Sequence, residues 1–363
     1  MTSNFKKDMP SILWIAGDNN LYYTGVNTYL GYPLLREISK FGVIVNALGY
    51  TDAIYTSNRS FYDSKLFRRI NSIARLLLYD NRIGDRLRNT FKISFHVLRK
   101  KILSINHDII ITTNPYPELQ SIVKKYSINL VLWGIDDPLG FNSQWFSFAK
   151  ECILVFTTDY YSLKTYKENG VKNVVWLPPC YDPLYWKPLH ATKKENVVFV
   201  GNVYKERAPR LKSILKAIGK ITTINLYGNG YKSIIKADKR NTCKIFNPID
   251  WRDVCYIYNK HKIVLNLHRS YNGINFRVIE ALGSGSFLLT DYARGLEHII
   301  EPKKDCIVFY DIDEIPEIVS FYLNEEDERD KISEAGYRRV LGEHTVQQRV
   351  KQIISYFKKL SLL

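Results

Sequence analysis

The sequence predicts an α/β protein built from two doubly wound domains that face a central cleft. Strand-like apolar runs alternate with helical patterns along most of the chain, which argues for parallel sheets with crossover helices. The turn-rich stretch from Pro178-Pro179-Cys180-Tyr181-Asp182-Pro183 to Lys187-Pro188 interrupts that pattern, which then restarts. A length of 363 residues also exceeds what one core usually serves. The boundaries drawn are 1–188 for the first domain, 189–344 for the second, and 345–363 for a closing helix that can cross back to the first domain.

In the first domain, Ser11–Ala16 reads as a strand ending at Gly17, and a helix is expected from about Pro33 to Lys40, with proline in its first turn. Gly42–Val45 is a second strand. Asp108–Thr112 and Asn129–Trp133 flank a helix that begins at Pro117-Glu118, and Cys152–Thr157 and Val174–Leu177 bracket another. In the second domain, Asn196–Val200 runs into Gly201-Asn202 and then a basic helix. Ile224–Tyr227 runs into Gly228-Asn229-Gly230, and Lys262–Leu267 precedes an apolar segment that ends in strand Ser286–Thr290. From Thr345, a cap residue, Val346, Val350, Ile353, Ile354, Phe357 and Leu360 form one apolar stripe of a final helix. In such sheets ligands sit at the carboxyl ends of the strands.

Composition is that of a globular protein, 45% hydrophobic and 24% charged. No apolar run reaches the roughly 18–20 residues that span a bilayer, and the first eight residues lead into no signal-peptide core. Five scattered cysteines without a C-x-x-C pattern fit a reducing cytoplasm and exclude a zinc knuckle. The net charge of +16 is concentrated. Eleven basic residues lie between Lys65 and Lys101, opposed by Asp80 and Asp85 alone. Together with Leu66, Phe67, Ile70, Leu76 and Leu77 they read as amphipathic helices with a basic face. That face is either a solvated surface or one attracted to anionic membrane. Nucleic acid ranks lower as a partner, since no helix-turn-helix, finger or aromatic-basic strand accompanies the charge. The expected location is cytoplasmic, with peripheral attachment at the inner face of the membrane.

The densest chemistry lies in Asn272-Gly273-Ile274-Asn275-Phe276-Arg277-Val278-Ile279-Glu280-Ala281, followed by a Gly283-Ser284-Gly285 helix stop. Arg277 and Glu280, three residues apart, share a helical face. An Arg at a helix start suits an anion, and a carboxylate one turn on accepts hydroxyl groups such as those of a ribose. A plain surface ion pair explains the same spacing.

Four stretches resemble the CgeB-like glycosyltransferases, a branch close to the retaining glycosyltransferase family 4 (group 1). They are Val198–Asn202 with Arg207, Leu265-Asn266-Leu267 with Asn275–Ala281, Glu326–Gly336, and Glu343-His344-Thr345. Trp133–Pro138 and Leu177-Pro178-Pro179 are similar to the family's acceptor-domain loops. The resemblance is specific in the second half and looser in the first, above all across Thr51–Lys101. It implies a GT-B architecture of two Rossmann-like domains, with a nucleotide-diphosphate sugar donor in the second and the acceptor in the first. The sugar would pass to a glycan or lipid-linked acceptor in surface glycan synthesis, with stereochemistry retained. No cofactor or metal is implied.

The resemblance gives Glu280 the donor ribose and Arg277 the diphosphate, with Gly201, Asn202 and Arg207 bordering the phosphates. From the residues themselves, Lys205 is a reserve cation, His268 and Arg269 follow a buried-looking strand and can reach the donor phosphates, and Gly228, Asn272, Gly273 and Asn275 join the donor surroundings. Trp251 is expected beside the nucleotide base or, equally, in the core. The family's first motif glutamate, eight residues before Glu280, is here Asn272, so donor identity does not carry across. Should the reaction invert, Asp136 or Asp137 would be the base, although turn capping before Pro138 explains both. Gly17-Asp18-Asn19-Asn20 faces the expected cleft. Asp311-Ile312-Asp313 resembles a metal motif but more simply caps a helix start. Two alternatives use the same fold without this chemistry or with another acceptor: an inactive binding component of a surface layer, and a transferase acting on DNA bases.

Overall fold

The computed structural model describes residues 10–16, 31–49, 99–100, 102–105, 107–189, 191–235 and 242–363. The Gly17–Asn20 loop lies outside the described residues, as does the basic 65–101 segment except Arg99 and Lys100. The strands form two six-stranded sheets. The first comprises β1 (Ser11–Ala16), β2 (Ile44–Gly49), β3 (Ile109–Thr112), β4 (Asn129–Gly134), β5 (Leu154–Thr157) and β6 (Val174–Trp176), in the order β2-β1-β3-β4-β5-β6. The second comprises β7 (Glu195–Val200), β8 (Ile224–Tyr227), β9 (Cys243–Phe246), β10 (His261–Asn266), β11 (Leu288–Asp291) and β12 (Ile307–Phe309), in the order β12-β11-β10-β7-β8-β9. Both are doubly wound, as the alternating pattern predicts.

By compactness the chain divides into Met1–Leu132 with Ser147–Ile153 and Leu362–Leu363, and Trp133–Phe146 with Leu154–Ser361. In the first unit α1 (Gly31–Ser39) connects β1 to β2, and α2 (Pro117–Tyr126) connects β3 to β4. Proline opens α2, where its missing N–H costs nothing. The strands read as continuous apolar runs because both faces are covered. Ile109, Ile110 and Ile111 are all buried.

The second sheet shows the same logic residue by residue. Val198 and Val200 of β7 point into one core cluster with Val264, Val278, Ile279 and Leu282. Val197 and Phe199 point into the other with Leu211, Ile263, Leu265 and Leu289. Side chains alternate across the pleat, so one strand feeds two cores. Each fully buried Val, Leu or Phe contributes roughly 1.5–3 kcal/mol. Helices α5 (Ala208–Ile218) and α8 (Ile315–Asn324) cover one face, and α6 (Trp251–Lys260) and α7 (Arg277–Gly283) the other. Short helices α3 (Ser143–Ala149) and α4 (Ser162–Glu168) follow β4 and β5, and α9 (Glu326–Glu343) leads to the last helix.

That helix, α10 (Val346–Lys359), begins at Thr345 in a capping box with Gln348. Val346, Val350, Ile353, Ile354 and Phe357 are buried as expected, whereas Leu360 falls beyond the helix end and is 37% exposed. Buried Arg349 donates Nε to the Pro178 carbonyl at 2.7 Å, and Phe357 and Tyr356 pack on Phe156 of β5. Among the described residues no helix is long and apolar enough to cross a membrane.

Candidate functional site

The order of the second sheet reverses between β7 and β10, and in doubly wound sheets the crevice at such a switch point is where ligands bind. Gly201 ends β7 there. A β-carbon on Gly201 would lie 3.0 Å from Arg207 Nη2 and 3.1 Å from Arg277 Nη2, so two guanidinium groups close on one glycine. Both also lie over the Phe199 ring, at 5.2 and 5.7 Å. Like charges held this close disfavour each other. Burial first, and then Arg277, push Arg207 down to about 9, which leaves it charged at neutral pH.

The two arginines are held differently. Arg207 is 1% exposed and spends its terminal nitrogens on backbone, Nη1 on the Leu267 carbonyl at 3.0 Å and Nη2 on the Asn202 carbonyl. It ties together the loops that follow β7 and β10. Arg277, the first residue of α7, is only partly buried and has Nη1 on Asn266 Oδ1 at 3.0 Å. One turn on, Glu280 is half-buried, with no hydrogen bond to its carboxylate among the described residues. Burial pushes its carboxyl up to about 7, with Arg277 pulling the other way.

The remaining candidates separate into two groups. Gly228 is packed against this loop. A β-carbon there would meet the Gly201 carbonyl oxygen at 2.3 Å, and its φ of +143° suits glycine. Asn202 Oδ1 accepts from the Asn229 backbone at 2.9 Å, and Tyr231 donates its hydroxyl to the Gly201 carbonyl at 2.5 Å. Asn275 Nδ2 reaches the Leu267 carbonyl at 3.3 Å. His268 is wholly buried, with Nδ1 and its backbone N–H both on Asp291 Oδ1, and Asp291 pairs in turn with Arg210 at 2.9 Å. Gly273 meets a different wall, since a β-carbon there would sit 2.6 Å from the Asp137 carbonyl oxygen. Asn272 is exposed beside it and forms an isolated bridge with Arg294.

Two further candidates remain. Lys205 is exposed and makes no hydrogen bond or ion pair among the described residues. Trp251 opens α6 and packs edge-on against Tyr185 at 4.8 Å.

Four buried polar atoms around this strand end have no hydrogen-bond partner among the described residues: Arg207 Nε, His268 Nε2, Arg269 Nε and Asn275 Oδ1. Buried polar groups are normally satisfied, so such a cluster marks a place built for a polar guest or ordered water. Sequence reasoning named Arg269 here together with His268 but missed an aromatic pair. Arg269 lies over the Tyr204 ring at 4.5 Å. Tyr227 and Phe246, at the ends of β8 and β9, stack at 4.6 Å with 11° between planes. A stacked pair from separate strands leaves no spacing signature.

The two acids ahead of Pro138 differ. Asp137 is 3% exposed and accepts from the Tyr166 hydroxyl at 2.9 Å, while Asp136 is exposed. Asp311 caps the 3₁₀ turn Ile312–Glu314 by accepting from the Asp313 N–H. Among the described residues no group of three or more His, Cys, Asp or Glu is placed to hold a metal.

Residues 189–355 match the model of a family described as glycosyl transferase-like. Spore protein CgeB of Bacillus subtilis (strain 168) is 21% identical over 243 residues, 62% of this chain and 74% of that protein. Sucrose-phosphate synthase from Thermosynechococcus elongatus superposes with a TM-score of 0.70 at 12% identity, covering 97% of this chain and 99% of that one. Anabaena HepE, solved in complex with UDP-glucose, gives 0.68 at 12% identity over 96% and 99%. The chain therefore has the GT-B fold and is distantly related, over residues 189–355 to the glycosyl transferase-like family and over 62% of its length to CgeB.

Proposed function

We propose that this protein is a glycosyltransferase that moves a sugar from a nucleoside diphosphate donor to a glycan or lipid-linked acceptor in surface glycan synthesis. The observation that carries the reading is the pair of guanidinium groups closing on Gly201 beside half-buried Glu280. The likeness to HepE, a protein solved with UDP-glucose, supports a sugar nucleotide as the guest.

Breaking the bond between sugar and diphosphate builds negative charge on the leaving phosphate as positive charge develops at the anomeric carbon. Arg277, partly exposed, is the contact cation for that phosphate, and buried Arg207 adds a fixed positive field behind it. The Gly201-Asn202 turn borders the phosphate side, with the Gly201 N–H itself donated to the Tyr227 carbonyl at 2.8 Å. Glu280 accepts the ribose hydroxyls, which requires its ionised form. Asn272 and Gly273 border the sugar. In the retaining reaction we favour, the departing phosphate takes the acceptor's proton and no side-chain base is needed. No metal or other cofactor enters this scheme. The domain limits 1–188, 189–344 and 345–363 accompany the proposal, as does work in the cytoplasm, with the basic 65–101 segment meeting the anionic inner face of the membrane.

Incubation with a panel of sugar nucleotides, following nucleotide release with and without membrane glycolipid, tests the activity. Release from at least one donor, abolished in Arg277→Ala, is the expected result. Absence of release from every donor would remove the transferase reading.

A further inference from the structure

Beyond the switch point the carboxyl edge of the second sheet carries a row of tyrosines. Tyr292 directly follows β11, Tyr310 directly follows β12, and Tyr271 lies in the loop after β10, so three neighbouring strand ends each present one ring. Ring centroids are 5.5 Å apart from Tyr271 to Tyr292 and 5.5 Å from Tyr292 to Tyr310. Tyr271 and Tyr310 are 57% and 67% exposed. Single exposed aromatics are ordinary, but a contiguous row is not.

The row is held in place. Glu297 accepts from the Tyr161 hydroxyl on one oxygen at 3.1 Å and from the Tyr292 hydroxyl on the other at 3.4 Å. The Tyr271 carbonyl accepts from the Arg294 N–H at 2.8 Å, and the Arg294 guanidinium lies 3.8 Å over the Tyr161 ring. The central ring, Tyr292, is fixed beforehand and loses little freedom on binding a guest. The row is continuous with the donor motif, because Tyr271 immediately precedes Asn272 and Gly273.

We propose that Tyr271, Tyr292 and Tyr310 form a platform for a saccharide chain, holding the acceptor glycan next to the Asn272–Gly273 end of the motif. Pyranose rings carry a face of weakly positive C–H groups that packs on the negative face of an aromatic ring. Their hydroxyls suit polar groups at the margin, here Glu297 and Arg294. The local charge excludes a phosphate-rich occupant. Asp311, Asp313 and Glu314 follow Tyr310, with Glu314 accepting the Tyr310 N–H at 3.1 Å, whereas nucleic acid or anionic lipid calls for several cations. The inference rests on the transferase reading for the word acceptor.

Titration of the full chain with maltohexaose, cellohexaose and chitohexaose, followed by saturation-transfer NMR, tests it, with sugar-nucleotide binding measured on the same samples. At least one oligosaccharide is expected to bind at millimolar concentration. The Tyr271→Ala/Tyr310→Ala pair should weaken it about tenfold or more, while Tyr310→Phe, which keeps the ring, holds its affinity. Unchanged sugar-nucleotide binding would show the double variant folded. No binding of any of the three to the parent chain, or equal binding by the double variant, overturns the platform. Loss of oligosaccharide binding in the variant of a chain that binds no sugar nucleotide would keep the platform and discard the transferase.

Discussion

Two loops of this molecule are built alike and differ in what they do with their charge. After β4, Gly134 makes room for a folded-back acid, since a β-carbon there would lie 2.2 Å from Asp137 Oδ2. After β7, Gly201 makes room for two folded-back cations. The first loop closes on itself. Trp145 donates to the Tyr166 oxygen at 2.7 Å, Tyr166 donates to Asp137, and burial pushes that carboxyl well above its ordinary range. The second loop stays open. Arg277 and Glu280 remain partly accessible, and four buried polar atoms nearby have no hydrogen-bond partner among the described residues. A charge folded over a glycine is thus a structural device when sealed and a candidate site when left open.

Breaking the open loop should have the largest effect. Arg277→Ala and Glu280→Ala are each expected to lower transfer about 10²-fold or more, the usual consequence of losing a group that stabilises developing charge or holds the donor. Steady-state kinetics against the preferred donor measures this, and near-parent activity in Arg277→Ala would take that residue out of the mechanism.

Next comes the geometry beneath it. Gly228→Ala drives a β-carbon to 2.3 Å from the Gly201 carbonyl oxygen at a φ of +143°, so the Gly201 turn must shift. A loss of about 1–3 kcal/mol in stability is expected, read by denaturant unfolding, together with weaker donor binding.

A subtler effect follows from Glu280, whose carboxyl is raised to about 7 in the folded chain. Because the folded value exceeds the unfolded one, this group lowers stability as pH rises from about 4.5 to about 7, after which the loss is complete. Ribose binding by the carboxylate works in the opposite direction. Affinity for a sugar nucleotide, whose diphosphate does not titrate in this range, should increase as pH passes through about 7, and Glu280→Gln should flatten the profile. A flat profile in the parent chain would remove the ionised carboxylate from donor binding.

The sealed loop should give the smallest changes in chemistry. Asp137→Asn keeps an acceptor for Tyr166, so kcat should stay within about threefold and any change should appear in thermal unfolding. Asp136→Asn should also leave kcat within about threefold in a retaining enzyme. A fall of about 10²–10⁴-fold, the range for a lost general base, would instead identify an inverting reaction.

Much of this was legible in the sequence where one segment carries the whole signal. Asn196–Val200 and Lys262–Leu267 read as strands because both of their faces are buried, and the Thr345 cap announces its helix. Edge strand β9 gives no comparable signal, since Lys244, Ile245 and Phe246 are exposed and the apolar run is short. Arg277 and Glu280 were visible because one helical turn joins them, whereas their closeness to Arg207 depends on how β7 and β10 pair. The Asp291–His268–Arg210 chain and the tyrosine row were hidden for the same reason, as each draws residues from different strand ends. Lys205, the reserve cation, lies exposed, while Arg269, expected with His268 after a buried-looking strand, has an Nε without a partner among the described residues.

Equilibrium binding of a sugar-nucleotide panel to the parent chain and to Arg277→Ala, by calorimetry in two buffers of different ionisation enthalpy, tests the open loop most directly. At least one donor should bind the parent chain at pH 6.5 with a buffer-dependent heat, as Glu280 gives up its proton, and Arg277→Ala should bind it at least about tenfold more weakly. Failure of every donor to bind, or equal affinity in Arg277→Ala, would contradict the assignment of this strand end as the diphosphate site.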